Sequence, residues 1–395
     1  MTNYQNSAMM HALFIHRIHR YMKQITKIIV GIVIAVIVIW AGVRLFSQPS
    51  TPASIEPIKI GFIGPLTGDV ASIGTVDKVA MEVAVDEINK AGGINGRKLE
   101  AVYEDGNCNA KIATNAASKL INIDKVVAIN GGLCSTETSA FGPMAMQNKV
   151  ITISYGSSAP SLSKLGAYFF RSYPSDTYQG KFGADYAYTT LGARKVAIIY
   201  HISDAGTGIK EVFQQRFMEL GGTVVTVEGA LQETRDYRTI MSKIKALNPD
   251  LIYMAAYPEG SIAALQQAQD LGIKTKFLGI DAWSDPKLQK EVSGKGEFLF
   301  SAPVNPLSED FKQKILAKTA GDQVPVSVSN AYDNVYLLAQ AMRKVGTDPD
   351  RLAQALHQMK FEGVSGHIEF DGNGDLITVK YAVSQIKNEG AVEIK

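Results

Sequence analysis

The sequence predicts an α/β protein of two lobes, each a doubly wound parallel sheet, preceded by one apolar helix. Three observations predict it. Apolar strand-like runs alternate with amphipathic helical segments in two successive series along 395 residues, and such alternation implies parallel sheets with right-handed crossovers. The chain is long enough for two cores. A Pro/Ser-rich stretch, Ser47 to Pro57, separates an uncharged N-terminal run from the alternating body and reads as a linker.

The first strand is Ile58–Ile63, an apolar run suited to a strand buried on both faces. Val79, Met81, Val83 and Ile88 mark a helix that Gly92-Gly93 stops, and Asn95-Gly96 turns the chain into the strand Leu99–Glu104. Val126–Ile129 and Val150–Ser154 complete the first series, with a helix over Lys111–Ile123. The second series comprises Val196–Tyr200, Thr223–Val227, Leu251–Met254 and Phe277–Gly279, with helices over Ile209–Leu220, Tyr237–Leu247 and Ser261–Leu271. Alternation then lapses. Val326–Val345 and Arg351–Met359 read as helices, and Gly366–Phe370 with Leu376–Val383 as a hairpin across FDGNGD.

Charge is uneven. Residues 1–47 hold five basic residues (Arg17, Arg20, Lys23, Lys27, Arg44) and no acidic one, which leaves 35 basic against 38 acidic in the remainder. A net −3 body argues against nucleic acid as a partner. Ile28–Val43 is an uncharged run of 16 residues, extended by Arg44, Leu45 and Phe46 to 19. As a helix that is about 28 Å, enough to cross a bilayer core with Arg44 snorkelling. The basic residues before it predict residues 1–27 as a cytoplasmic tail and everything after residue 46 outside. A cleaved secretory signal, cut after Ala53, is the alternative. Either way the body is exported. Residues 1–21 carry no fold signal, and Met22 is a plausible alternative start.

The strand, helix and AGGINGRKLE of residues 58–105 resemble the leucine/isoleucine/valine-binding proteins, the type I solute-binding components of ABC importers, and the resemblance runs to the C-terminus. It implies three hinge crossings between the lobes, near Asp176, Pro303 and Lys380. Lobe 1 is then 58–176 plus 304–379, and lobe 2 is 177–303 plus 380–395. It also implies a Cys108–Cys134 disulfide between the chain's only two cysteines.

Ligands of open parallel sheets bind beyond the carboxyl ends of the strands. There the first lobe offers small residues and hydroxyls (Gly131–Ser135, Ser154–Ser158), while the second offers acids and aromatics (His201–Gly208, Ala255–Tyr257, Ile280–Trp283). That division suits a zwitterion, since a carboxylate wants N–H groups and hydroxyls and an ammonium wants a carboxylate. By resemblance Ser135, Gly156 and Ser158 match the positions that hold the amino-acid group, while Tyr257 and Asp281 match the aromatic and acid opposite. Ser157, Asp176 and Trp283 complete the candidate set. Each has a plainer reading. Ser135 and Ser158 fit helix N-caps, Asp176 fits an N-cap with Gln179 three residues on, and Tyr257 and Trp283 fit packing aromatics. Two positions depart from the family: Ile73 replaces an aromatic, and Asp204-Ala205-Gly206 replaces a Tyr-Gly.

No catalytic constellation, metal spacing or cofactor motif emerges. Asp371-Gly372-Asn373-Gly374-Asp375 opens like a calcium loop, but Leu376 and Ala382 stand where glycine and glutamate belong. The expected function is an extracytoplasmic receptor for an apolar amino acid, with an ABC permease as partner and the membrane as anchor. A sensing module of the same fold for amides, urea-like solutes or aromatic acids is the alternative.

Overall fold

The computed structural model describes residues 3–46, 56–304, 307–319, 324–377, 379–387 and 390–394, and these form two compact units, residues 1–55 and 56–395. The first unit is a single helix, α1 (Asn3–Phe46). It begins well before the predicted span, so residues 3–21, which showed no fold signal, are helical. Leu13–Gly42 is the portion long and apolar enough to cross a membrane. Most of the linker lies outside the described residues.

The second unit opens with β1 (Ile58–Gly64), α2 (Ala71–Lys90), β2 (Leu99–Asp105), α3 (Ala110–Lys119), β3 (Ala128–Gly131), α4 (Ser135–Gln147), β4 (Ile151–Ser154) and β5 (Phe169–Arg171). Their strands form one all-parallel sheet in the order β2-β1-β3-β4-β5. After α5 (Asp176–Asp185) come β6 (Lys195–His201), α6 (Asp204–Glu219), β7 (Thr223–Ala230), α7 (Arg238–Leu247), β8 (Leu251–Ala255), α8 (Pro258–Asp270), β9 (Lys276–Gly279), α9 (Pro286–Val292) and β10 (Phe298–Pro303). The last part holds α10 (Glu309–Leu316), α11 (Val328–Val345), α12 (Pro349–His357), β11 (Lys360–Gly363), β12 (Gly366–Glu369), β13 (Tyr381–Lys387) and β14 (Gly390–Ile394). The second sheet runs β7-β6-β8-β9-β10-β13-β14. Its five leading strands are parallel, and β13 and β14 add an antiparallel edge that alternation alone did not predict.

Each sheet is covered on both faces. Val335, Leu338 and Met342 of α11 and Leu352 of α12 pack with Ala80, Met81 and Ala84 of α2 on one side of the first sheet. Ala113 and Ala117 of α3 meet Phe141 of α4 on the other. In the second, Met241, Leu265 and Leu288 share one core, and Phe213 and Phe217 of α6 build the opposite one. Burial on both faces explains why these strands read as continuous apolar runs.

The predicted hairpin across FDGNGD is redrawn. β12 pairs with β11, and a single Phe370–Leu376 bridge closes the turn before the chain departs to β13 in the other sheet. Asp371 Oδ1 tightens the turn by accepting from Asn373 N (2.7 Å) and Asp375 N (3.0 Å). Asp375 is then held by the fully buried Arg171, whose Nε donates to its Oδ1 at 2.6 Å. That long-range pair, in which Arg171 also binds Ala159 O and Ser163 Oγ, anchors the turn to β5.

Candidate functional site

Both sheets share the order 2-1-3-4-5 once strands are counted within each, which puts a switch point between β1 and β3 in one and between β6 and β8 in the other. The loops after those strands face each other. Between them lies a cavity of about 670 Å³, mouth included. Its lining contains Ser135, Gly156, Ser158, Asp176, Tyr257 and Asp281 of the predicted set.

Ser135 is the first residue of α4. The N-cap is Cys134, and the helix start is secured by Glu137, whose carboxyl accepts from Cys134 N and Cys108 N at 3.0 Å each. Burial drives the Glu137 carboxyl up to about 7 against those backbone donors. Ser135 is therefore spared capping. Its Oγ accepts from Ser158 N (3.1 Å) and Ala159 N (3.0 Å), and its own proton remains to donate. Gly156 sits against Leu133, and a Cβ at that position would lie 2.4 Å from Leu133 Cδ1, so a larger residue would displace the cavity wall.

Ser158 Oγ donates to Asp176 Oδ2 at 2.9 Å, and Asp176 N donates to Ser158 O at 2.8 Å. The cap of α5 is Ser175, which accepts from Thr177 N, so the reading of Asp176 as N-cap is corrected. Gln179 reaches Ser301 O at 2.7 Å and forms no capping box. Asp176 is free to face the cavity.

Asp281 comes from the second lobe. Its Oδ2 accepts from the Tyr173 hydroxyl and its Oδ1 from Ala282 N at 2.9 Å. Burial raises its carboxyl above the usual range, opposed by those bonds. Burial and the neighbouring Asp281 push Asp176 up to about 8, opposed by Ser158 and Arg171. Two buried acids at one cavity make a place that a cation stabilises.

Tyr257 stands at the start of α8, where its N–H donates to His201 Nδ1 at 3.1 Å. His201 Nε2 faces the Tyr237 hydroxyl at 3.1 Å, and burial holds the imidazole down at about 4, so it is neutral. Tyr257 packs against a small apolar cluster of the first lobe that contains Val70 and Ile73. Ile73 and Ala205, at the two positions that depart from the family, both border the cavity with small or aliphatic groups.

Two predicted residues do not reach it. Ser157 is buried, with its hydroxyl 2.8 Å from Thr138 Oγ1 and 3.1 Å from Gly132 O. Trp283 is fully buried in the core of the second lobe, with Nε1 donating to Ser261 Oγ at 2.9 Å. It lies two residues beyond Asp281 in a tight 3-10 turn, and at three residues per turn its ring leaves the helix about 120° away from the Asp281 side chain. The sequence reasoning missed Tyr173 and Ser327, which line the cavity from segments assigned to neither ligand loop. No local motif marks either one.

The lobes also meet at the cleft rim, where Asp69 pairs with Arg235 and Ser72 Oγ donates to Asp285 Oδ2 at 2.9 Å. Cys108 and Cys134 are disulfide-bonded, with Cα atoms 5.3 Å apart, and Cys134 lines the cavity.

Two like-built α/β lobes enclosing one polar-ended cavity define a cleft-type solute-binding protein. The sequence profile of the periplasmic binding protein family matches residues 57–391. The chain belongs to that family, in its type I leucine/isoleucine/valine-binding branch. It is 28% identical over 351 residues to the leucine-, isoleucine-, valine-, threonine- and alanine-binding protein of Pseudomonas aeruginosa, covering 87% of this chain and 94% of the relative. A leucine-binding protein of Thermotoga maritima superposes with a TM-score of 0.79 at 28% identity, covering 86% of this chain and 98% of that one. The branched-chain amino acid transporter substrate-binding protein of Streptococcus pneumoniae, solved with isoleucine, superposes at 0.75 with 26% identity, covering 86% and 100%.

Proposed function

We propose that this chain is the extracytoplasmic receptor of an ABC importer and closes its two lobes around an amino acid with an apolar side chain. The observation that carries this reading is the polarity of the cavity: Ser135 and the N-terminus of α4 on one lobe, Asp281 on the other, Asp176 bonded to Ser158 on the first lobe and close enough to feel the charge of Asp281, and Val70, Ile73, Leu133 and Tyr257 along the walls. A carboxylate takes the hydroxyls and N–H groups, an ammonium takes the acids, and an apolar side chain takes the walls. A plain carboxylic acid would leave both carboxyls without a cation. The ligands of the relatives, leucine, isoleucine, valine, threonine and alanine for one and isoleucine for the other, fit the same division.

The moving bodies are residues 58–176 with 304–379 and residues 177–303 with 380–395. Contacts from the second lobe to the ligand exist only when the cleft is shut, so binding shifts the population toward the closed form, which an importer recognises. Helix α1 tethers the receptor to the outer face of the cytoplasmic membrane, N-terminus inward.

A thermal-shift screen of residues 54–395 against amino acids, amines and aromatic acids tests the reading. At a hundred times its dissociation constant the cognate ligand adds about 2.7 kcal/mol. Stabilisation by leucine, isoleucine or valine supports it; stabilisation by benzoates or by amines alone, with none by amino acids, overturns it.

A further inference from the structure

The part of α1 apolar enough to cross a membrane is 30 residues, Leu13–Gly42. That is about 45 Å of helix against a hydrocarbon core of about 30 Å. The helix is therefore about half again as long as a span needs, and the surplus is patterned. Phe14, Ile18, Tyr21 and Ile25 recur at steps of four, three and four, so they form one stripe. His16, Arg20, Lys23 and Lys27 recur at the same steps two residues later, roughly 200° around the helix, while Arg17 alone stands at the edge of the apolar stripe. All four apolar side chains are exposed. Past Lys27 the pattern ends, and Ile28–Val43 is apolar on every face.

An evenly apolar segment belongs in hydrocarbon, whereas a segment with opposed apolar and basic stripes belongs in the interface plane. No acidic residue precedes Glu56, so nothing in this segment neutralises the basic stripe. Thr26 Oγ1 donates back to Met22 O at 2.8 Å, the kind of bond that bends helices, at the boundary between the two patterns.

We infer that residues 13–27 form a second membrane contact, an interfacial helix whose basic face takes the anionic phospholipid headgroups of the leaflet where the span begins. The inference rests on the reading of α1 as an anchor. The occupant follows from charge complementarity and from continuity with the span. Each Lys or Arg beside an anionic surface strengthens such a contact about fivefold. The contact would fix the orientation and height of the anchor and make both depend on lipid composition and salt.

The test places the full chain in nanodiscs of phosphatidylcholine, with and without phosphatidylglycerol. Single polarity-sensitive labels go at Ile18→Cys, Gln24→Cys and Val36→Cys, and a neutral aqueous quencher reads their shielding. The expected result is an Ile18 label shielded and a Gln24 label quenched in anionic discs, with the difference lost in high salt. In a variant carrying Arg20→Gln, Lys23→Gln and Lys27→Gln the preference for anionic discs should fall by on the order of a hundredfold. Equal quenching at Ile18 and Gln24 with Val36 still shielded overturns the inference and leaves the anchor standing. Equal Ile18 shielding in neutral and anionic discs overturns the headgroup assignment. A quenched Val36 overturns the anchor itself.

Discussion

The Tyr173 hydroxyl donates to Asp281 Oδ2, so a residue that follows the last strand of the first sheet engages the acid that the second sheet supplies. Both groups line the cavity. The Tyr173 hydroxyl thus orients the acid opposite the hydroxyl wall from across the cleft.

Replacing that acid tests the ammonium site. Asp281→Asn keeps the shape and removes the charge, and should cost roughly 2 to 5 kcal/mol of binding if the contact is buried in the closed state. Tyr173→Phe removes only the positioning bond, and should cost about 1 kcal/mol. Calorimetry with the cognate amino acid reads both. Unchanged affinity in Asp281→Asn would show that the ammonium lies elsewhere.

Ser135→Ala should weaken binding by roughly 1 to 2 kcal/mol, because N–H groups at the start of α4 still face a carboxylate. It also orphans Ser158 N and Ala159 N, which now share that hydroxyl. A fall of about 1 to 3 kcal/mol in ligand-free stability should accompany it. Denaturant titration separates the two effects.

Asp176 makes stability and binding depend on pH in opposite directions. Folded, its carboxyl is pushed up to about 8; unfolded, it titrates near 4. Between those values the folded state holds a proton that the unfolded state has lost, so ligand-free stability falls as pH rises through this window. An ammonium beside the ionised pair replaces that proton. Affinity should therefore tighten from pH 6 to 8, with proton release that calorimetry in buffers of different ionisation enthalpy measures. Glu137, up to about 7 through burial, adds to the stability trend with the same sign. Affinity that stays flat over this range in Asp176→Asn and tightens in the parent would assign the effect to this residue.

Reducing the Cys108–Cys134 bridge, whose cysteines are 26 residues apart, should lower stability by at most about 3.5 kcal/mol. Affinity should fall as well, because Cys134 both lines the cavity and caps the helix that begins with Ser135. A reduced protein that binds as tightly as the oxidised one would confine the bridge to stability.

Much of the site was legible because its chemistry is local. Ser135, Gly156, Ser158, Tyr257 and Asp281 each follow a strand directly, and loops at the carboxyl ends of parallel strands converge wherever such sheets form. Trp283 misled because strand-end position does not specify direction, and in a 3-10 turn a side chain two residues on points about 120° away. Ser157 misled for a similar reason: its neighbours face the cavity while its hydroxyl turns inward to Gly132 and Thr138.

By itself the sequence determined the two alternating series, the apolar N-terminal helix and the distribution of hydroxyls and acids between the lobes. Periodicity and composition specify each of these within short windows of chain. The tertiary structure decided what depends on groups far apart in sequence. Arg171 finds Asp375 at a separation of 204 residues and anchors the turn. Tyr173 finds Asp281 at 108 and orients the acid. Asp176 owes its raised affinity for a proton first to burial and then to Asp281, 105 residues on, both of which the fold supplies. Pairings of that kind arise from the packing of one sheet edge against another, and no window of sequence contains both partners.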